Sequence, residues 1–164
     1  MNAIDTSALL YDRTDADTYE CDDLNRVGSM CQTIAAAAEA EIDAIAALRE
    51  QYDTAESEYT LPDFTVPTVT AKTDFAVTDT YTIEQMLQYL LNVVNIVTHF
   101  PPAEYKALPE TMRFLTAERA NAIEWDLRQS AENLVSRANT TETHIKNTAA
   151  AFAYSGEIFA GGII

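Results

Sequence analysis

The stretch IAAAAEAEIDAIAALRE, residues 34–50, decides the fold of this chain. It consists mainly of strong helix formers and contains neither glycine nor proline. Around it, apolar or small residues recur at steps of three and four with one break at Glu41, and a helix is predicted over residues 22–53. The positions are Leu24, Val27, Cys31, Ile34, Ala38, Ile45, Leu48 and Tyr52. A helix of about thirty residues would be about 45 Å long, so we expect an elongated bundle.

Two further helical regions are indicated downstream. The first covers residues 82–100 and opens with Thr82 and Gln85, which have the spacing of a capping box. Because its apolar residues occupy more than half of the circumference, we expect it to be the central and most buried helix. Helices over residues 109–154 complete the bundle: a short turn of helix follows Pro109, and a long helix then runs to Gly156, the expected stop.

The remaining segments lack helical periodicity. Residues 1–21 form an N-terminal arm, in which the spacing of Thr14 and Asp17 predicts a short helix. Residues 54–81 contain two prolines and many Thr and Val, which predicts an extended arm. This arm either wraps its own bundle or reaches a neighbouring subunit. Residues 155–164 are nearly uncharged and glycine-spaced, which predicts a short strand-like tail.

The predicted fold class is therefore all-α. At 164 residues the chain is expected to form a single domain, and no internal repeat or linker divides it. We expect an elongated three-helix bundle with an extended arm at 54–81 and a short strand-like C-terminal tail.

The charge of the chain excludes several classes of partner. It has 26 acidic and 10 basic side chains and a formal net charge of −16, so nucleic acid and anionic membranes are poor partners. The acidic residues are concentrated in residues 1–63, a half that is either solvated or faces a basic partner. No apolar run is long enough to span a membrane and no signal peptide is recognisable. We expect a soluble protein made in a cytoplasm.

No group of residues in the sequence points to catalysis. His99 and His144 do not fall into a spacing typical of metal ligands. Cys21 and Cys31 are expected to be reduced thiols, and the sequence does not place either beside a histidine. No glycine motif for a phosphate or a dinucleotide is present. We therefore expect an interaction protein, with no enzyme activity, no cofactor and no metal.

The C-terminal tail is the main candidate for partner binding. Residues 157–164 would add a strand to the edge of another sheet, because two glycines permit close approach of the backbone. Alternatively, the tail packs on its own bundle. The candidate partner-binding residues are Tyr154, Glu157, Ile158, Phe159, Gly161, Gly162, Ile163 and Ile164, together with Phe64 and Phe75 of the arm.

Four stretches carry a resemblance to a known family. They are YDRTDADTYE at 11–20, CDDLNRVGSM at 21–30, KTDFAVTDTYTIEQMLQYLLNVV at 72–94 and YSGEIFAGG at 154–162. In this order they resemble a family of small modules in phages and prophages of Gram-positive gut bacteria. The resemblance extends from about residue 11 to the end of the chain. It implies a structural protein of the bacteriophage virion, in the tail or baseplate, and it implies no catalytic residues.

The resemblance also implies how such a protein works. Family members are described as tail, minor tail or virion structural proteins, so we expect a homo-oligomer that docks to other tail or baseplate proteins. Phe75 stands where tryptophan is commoner in the family. The module here is nearly alone, whereas elsewhere it is often attached to carbohydrate-binding or fibre-like regions. This difference favours a multi-copy adaptor over direct host binding.

Two alternatives stay open. The chain would be a host-receptor or glycan-binding module at the tail tip if its arm presented an aromatic cluster. Candidates for that cluster are Tyr59, Phe64, Phe75 and Tyr81. It would be an adaptor or decoration protein if it lay at the head or neck of the particle.

The D-L-N-R motif is expected to be structural. Asp23, Leu24, Asn25 and Arg26 fall at the start of the long helix, where an Asp or Asn caps free N–H groups. We expect these residues to pack against the K-T-D segment rather than to contact a partner.

Overall fold

The computed structural model of the protein describes residues 1–52 and 65–160, with side chains as far as residue 151. Within these ranges it contains three helices and no strand. Helix α1 spans Cys21–Tyr52, α2 spans Ile83–His99 and α3 spans Ala117–Ala160. Each helix contacts the other two, so the prediction of an all-α three-helix bundle is confirmed.

Helix α1 buries the apolar seam that the sequence predicts. The buried members are Leu24, Val27, Cys31, Ile34, Ala38 and Ile45. Beyond Ile45 the seam leaves the core, because Leu48 is only half-buried and Tyr52 is exposed. Glu41, at the break in the seam, points inward and is buried.

Helix α2 opens with the predicted capping box. Gln85 N–H donates to Thr82 Oγ1 at 3.2 Å, and Thr82 N–H donates to Gln85 Oε1 at 3.0 Å. The expectation that α2 is the central and most buried helix is corrected, because one of its faces lies in the core and a second, apolar face is exposed to solvent. In the described part of the chain no fourth helix is present to cover that second face.

Helix α3 extends further toward the C-terminus than predicted. It passes through Gly156 and ends at Ala160, so residues 157–160 are helical rather than strand-like. A single glycine inside a helix costs about 1 kcal/mol relative to alanine, which is too little to stop a long helix. Residues 161–164 lie outside the described residues.

Two predicted short helices are absent. Thr14 and Asp17 form a turn, in which Asp17 N–H donates to Thr14 O at 3.0 Å and Thr14 N–H donates to Asp17 Oδ2 at 2.7 Å. Residues 109–116 contain turns, and α3 begins only at Ala117. Capping-box spacing and a favourable composition are therefore not sufficient here without an apolar stripe to bury.

The described part of the extended arm, residues 65–81, lies on its own bundle. Asn92 on α2 binds the backbone of Thr70 twice, accepting from its N–H at 2.9 Å and donating to its carbonyl at 3.1 Å. Asn95 donates to Thr68 O at 2.8 Å. These side-chain amides satisfy backbone groups that would be paired in a sheet. Of the two alternatives for the arm, this part follows the first; residues 53–64 lie outside the described residues.

Candidate partner-binding surface

The residues of the D-R-T and D-L-N-R motifs meet in a buried ion network. Arg13 Nη2 lies 2.7 Å from Asp23 Oδ1 and 2.5 Å from Glu124 Oε1. Arg26 binds both oxygens of Glu124, at 3.1 Å through Nε and 2.9 Å through Nη2, and it also contacts Asp23. Two cations thus face two carboxylates at the junction of the N-terminal arm, α1 and α3.

The surroundings of this network keep Asp23 and the two arginines charged. Burial alone would raise the pKa of Asp23, but hydrogen bonds from Glu20 N–H, Arg26 and Arg13 outweigh it, and the pKa lies below its usual value. Burial acts to lower the pKa of Arg26, but bonds to Glu124 and Asp23 raise it on balance. Because Asp23 and both arginines are charged over the physiological range, the network is suited to holding segments together rather than to exchanging protons.

The same network fixes the N-terminal arm. Leu10 N–H donates to Glu124 Oε2 at 2.6 Å. Asn121 on α3 accepts from Arg13 N–H at 3.0 Å and donates to Arg13 O at 2.9 Å. At the start of α1, Glu20 N–H donates to Asp23 Oδ2 at 2.7 Å, while Leu24 lies in the core. The motif residues therefore attach an irregular segment to the bundle.

A second junction attaches the K-T-D segment to α1. Asn25 accepts from Phe75 N–H at 2.7 Å and donates to Phe75 O at 2.9 Å. One turn later, a Cβ on Gly28 would lie only 2.8 Å from Lys72 O. Glycine at this position lets the extended backbone approach the helix closely. The two D-L-N-R-V-G and K-T-D-F stretches are thus neighbours in space.

The two cysteines are the candidate nucleophiles, and both are buried. Burial raises the pKa of the Cys31 thiol to about 12, and Cys21 is buried as well. Within residues 1–52 and 65–151, no three His, Cys, Asp or Glu side chains are placed to hold a metal ion. The Cys31 thiol is therefore not an activated thiolate.

Asp126 is a buried carboxylate whose protonation we expect to be visible in the stability of the protein. It lies on α3, and its Oδ1 accepts from Lys106 N–H at 2.9 Å. Burial raises its pKa to about 6, although the Lys106 N–H acts in the opposite direction. The folded protein therefore takes up a proton near pH 6 that the unfolded chain takes up only near pH 4.

We expect the stability of the wild type relative to Asp126→Asn to increase as the pH falls. The reason is that acidification neutralises the buried carboxylate, which removes its desolvation cost, whereas the amide does not titrate. From pH 7 to pH 4.5 the difference in unfolding free energy should change by about 2 kcal/mol. Urea unfolding of both proteins at four pH values measures it, and a constant difference would contradict the raised pKa.

The outward face of α2 carries a continuous apolar stripe. It consists of Ile83, Leu87, Leu91 and Val94, which are 76%, 55%, 48% and 42% exposed. Their steps of four, four and three place them on one side of a helix. Glu84 is the only residue of α2 with a formal charge at pH 7. The stripe is therefore both apolar and almost free of charge.

A cavity lies at the N-terminal end of the stripe, and an exposed aromatic residue follows one of its lining segments in the sequence. The cavity has a volume of about 330 Å³ and is lined mainly by Tyr81, Ile83, Met86, Leu87, Leu90 and Met112. Shortly after Met112, Phe114 is 81% exposed and has a φ of 56°. The left-handed conformation costs about 1–2 kcal/mol for a residue with a side chain. An exposed phenylalanine held at such a cost is typical of a functional rather than a packing position.

The structure places only some of the predicted binding residues. Phe75 is only 6% exposed and its ring packs against Tyr81, so its assignment to a partner surface is wrong. Glu157, Ile158, Phe159 and Tyr154 fall within α3, but their side chains lie outside the described part. Phe64, Gly161, Gly162, Ile163 and Ile164 lie outside the described residues altogether. Of the proposed glycan-binding cluster, Tyr81 is partly exposed, whereas Tyr59 and Phe64 are not described.

Comparisons of the chain with models of protein families, with curated proteins and with solved structures found no match in any of the three. Among the described helices, none combines the length and the apolar character needed to cross a bilayer. The stripe on α2 is the largest feature that sequence reasoning missed. The sequence contained a sign of it, because α2 has more apolar residues around its circumference than two neighbouring helices can cover.

Proposed function

We propose that the chain is a structural subunit of a bacteriophage virion, located in the tail or baseplate, and that it acts as a multi-copy adaptor for other virion proteins. The observation that carries the proposal is the uncharged apolar stripe Ile83, Leu87, Leu91 and Val94. Exposed apolar rows of this kind are a feature of protein–protein interaction sites. The assignment to a phage particle rests on the resemblance of the four sequence stretches to the phage family.

The two buried junctions support an adaptor role. Arg13 and Arg26 use their charges to hold the N-terminal arm, and Asn25 and Gly28 hold the K-T-D segment. The residues that resemble the phage family thus build a frame instead of a reaction centre. Such a frame supports the bundle that presents the α2 stripe.

The free energy gained by burying the stripe is small, as expected for a contact that is repeated many times in an assembly. Burying an apolar side chain fully contributes about 1.5–3 kcal/mol, and these four are already about half covered. Covering them completely would contribute about 4 kcal/mol in total, before the cost of association. One such contact is weak alone, but it becomes effective when several copies are held in one particle.

The test is to find the protein in purified particles of a phage that carries its gene. Quantitative mass spectrometry should detect several copies per particle, and antibody labelling in electron micrographs should mark the tail end. Labelling of the head or neck would instead support the adaptor or decoration alternative there. Absence of the wild-type chain from washed particles would contradict the proposal.

The same phage, deleted for the gene and supplied with variants, tests the surface. The double variant Leu87→Glu/Leu91→Glu should be lost from particles, because it places charges on the apolar stripe. Val77→Glu is the matched control, since Val77 is 87% exposed and lies outside α2. Equal incorporation of both variants would exclude the α2 stripe as the docking surface.

A further inference from the structure

We infer that the α2 stripe binds the α2 stripe of a second copy of this chain, with the two helices antiparallel about a two-fold axis. This inference rests on the proposed function, because it names the partner of the same surface. Three observations lead to a second copy: the spacing of the stripe, the distribution of charge and the size of the surface.

The spacing of the stripe is self-complementary in an antiparallel pair. With the axis between Leu87 and Leu91, Leu87 of one copy lies opposite Leu91 of the other. Ile83 then lies beside Val94 of the other copy at each end. Leucines meet leucines at the centre and β-branched residues meet at the ends, as ridges that interdigitate require. An isologous contact of this kind closes on itself as a dimer.

The charge distribution makes α2 a favourable place for self-association. A chain of net charge −16 repels its own copies across most of its surface. The 17 residues of α2 contain one formal charge at pH 7, that of Glu84. Antiparallel packing about this axis places the two Glu84 positions about 15 Å apart along the contact, beyond the screening length of about 8 Å. Parallel packing would bring them together.

The same argument disfavours a charged partner. A basic protein attracted to this acidic chain would gain little on the α2 stripe, because charge complementarity requires carboxylates there. The stripe instead matches a surface that is equally apolar and uncharged, and another copy of α2 is such a surface.

The size of the stripe predicts a weak dimer. Four partly exposed side chains and the rim of the cavity supply several hundred Å² per copy, against roughly 800 Å² per partner in a typical stable complex. We expect a dissociation constant on the order of 10–100 µM, so that copies pair when they are concentrated in an assembly.

Sedimentation equilibrium of the full chain from 5 to 500 µM tests the inference. The wild type should shift from monomer to dimer over this range, and Val77→Glu should behave in the same way. Leu87→Glu/Leu91→Glu should stay monomeric throughout, and so should Leu87→Lys/Leu91→Lys. An equimolar mixture of these two variants should form a heterodimer, because opposite charges then meet across the axis. Circular dichroism melts establish that every variant is folded.

A swapped variant tests the antiparallel arrangement. In Leu87→Lys/Leu91→Glu, each lysine faces the glutamate of the other copy if the helices are antiparallel, and faces another lysine if they are parallel. We expect it to dimerise at least tenfold more tightly than Leu87→Glu/Leu91→Glu. Equal behaviour of these two folded variants would overturn the antiparallel pairing.

Two results separate this inference from the proposed function. A wild type that is monomeric at 500 µM overturns the second copy as the partner, while incorporation into particles still tests the adaptor role. A wild type that dimerises through α2 but is absent from particles supports the pairing and overturns the proposed function. An unchanged dimer in Leu87→Glu/Leu91→Glu overturns the assignment of the dimer contact to α2.

Discussion

Replacing Glu124 with alanine is expected to lower the free energy of unfolding by about 3–5 kcal/mol. The Glu124 side chain is fully buried, and those of Arg13 and Arg26 are 6% and 17% exposed. Its removal leaves two guanidinium groups with one carboxylate, that of Asp23, in a site from which water is largely excluded. Uncompensated buried charge is among the few causes of so large a loss.

Urea unfolding followed by circular dichroism measures this effect. Glu132→Ala is the matched control, because Glu132 lies on the same helix and pairs with Arg128 at 3.0 Å, but it is half exposed. We expect little change for it, since surface ion pairs contribute little to stability. A loss below about 1 kcal/mol in Glu124→Ala would show that the network does not hold the arm.

Hydrogen exchange gives a second readout of the same substitution. Leu10 N–H donates to Glu124 Oε2, so its exchange should accelerate in Glu124→Ala more than that of amides in the middle of α3. This difference distinguishes local release of the N-terminal arm from a general loss of stability.

The helices could be predicted from the sequence because their signals are local. The spacing of apolar residues around Ile34 is visible within one stretch, and the pair Thr82 and Gln85 specifies the start of α2 within four residues. The ends of α3 were predicted less well. Whether a turn after Pro109 becomes helical, or whether Gly156 stops a helix, depends on neighbours that the sequence does not place.

The buried network could not be predicted for the same reason. Glu124 is 98 residues from Arg26, and nothing in the sequence distinguishes it from the exposed Glu118 or Glu132 on the same helix. The excess of apolar residues around α2 was a signal, but it did not identify Leu87 as exposed, because periodicity shows which residues share a face and not how many neighbours a bundle supplies. Phe75 was misassigned because an aromatic residue in an irregular segment has no periodicity from which to read burial.

Replacing Gly28 with valine is expected to lower the free energy of unfolding by about 3 kcal/mol, and Gly28→Ala by about 1–2 kcal/mol. A Cβ at this position would lie 2.8 Å from Lys72 O, a backbone atom that cannot move without the K-T-D segment. The displacement would also strain the two hydrogen bonds between Asn25 and Phe75. Urea unfolding measures the loss, and exchange of the Phe75 amide reports release of the segment.

The sign of the Gly28→Ala effect is decisive, because two contributions oppose each other. Inside a helix, alanine is more stable than glycine by about 1 kcal/mol, so without the contact this substitution would stabilise the protein. The neighbouring Ser29→Ala is the control: Ser29 is exposed on α1, and its replacement should give a small gain. A gain of stability in Gly28→Ala as well would mean that the arm does not contact α1 closely at this point. A loss of stability would establish that the D-L-N-R-V-G motif requires glycine so that the arm can pack on its own bundle. An arm held at this position does not cover the α2 stripe, which stays available to a partner.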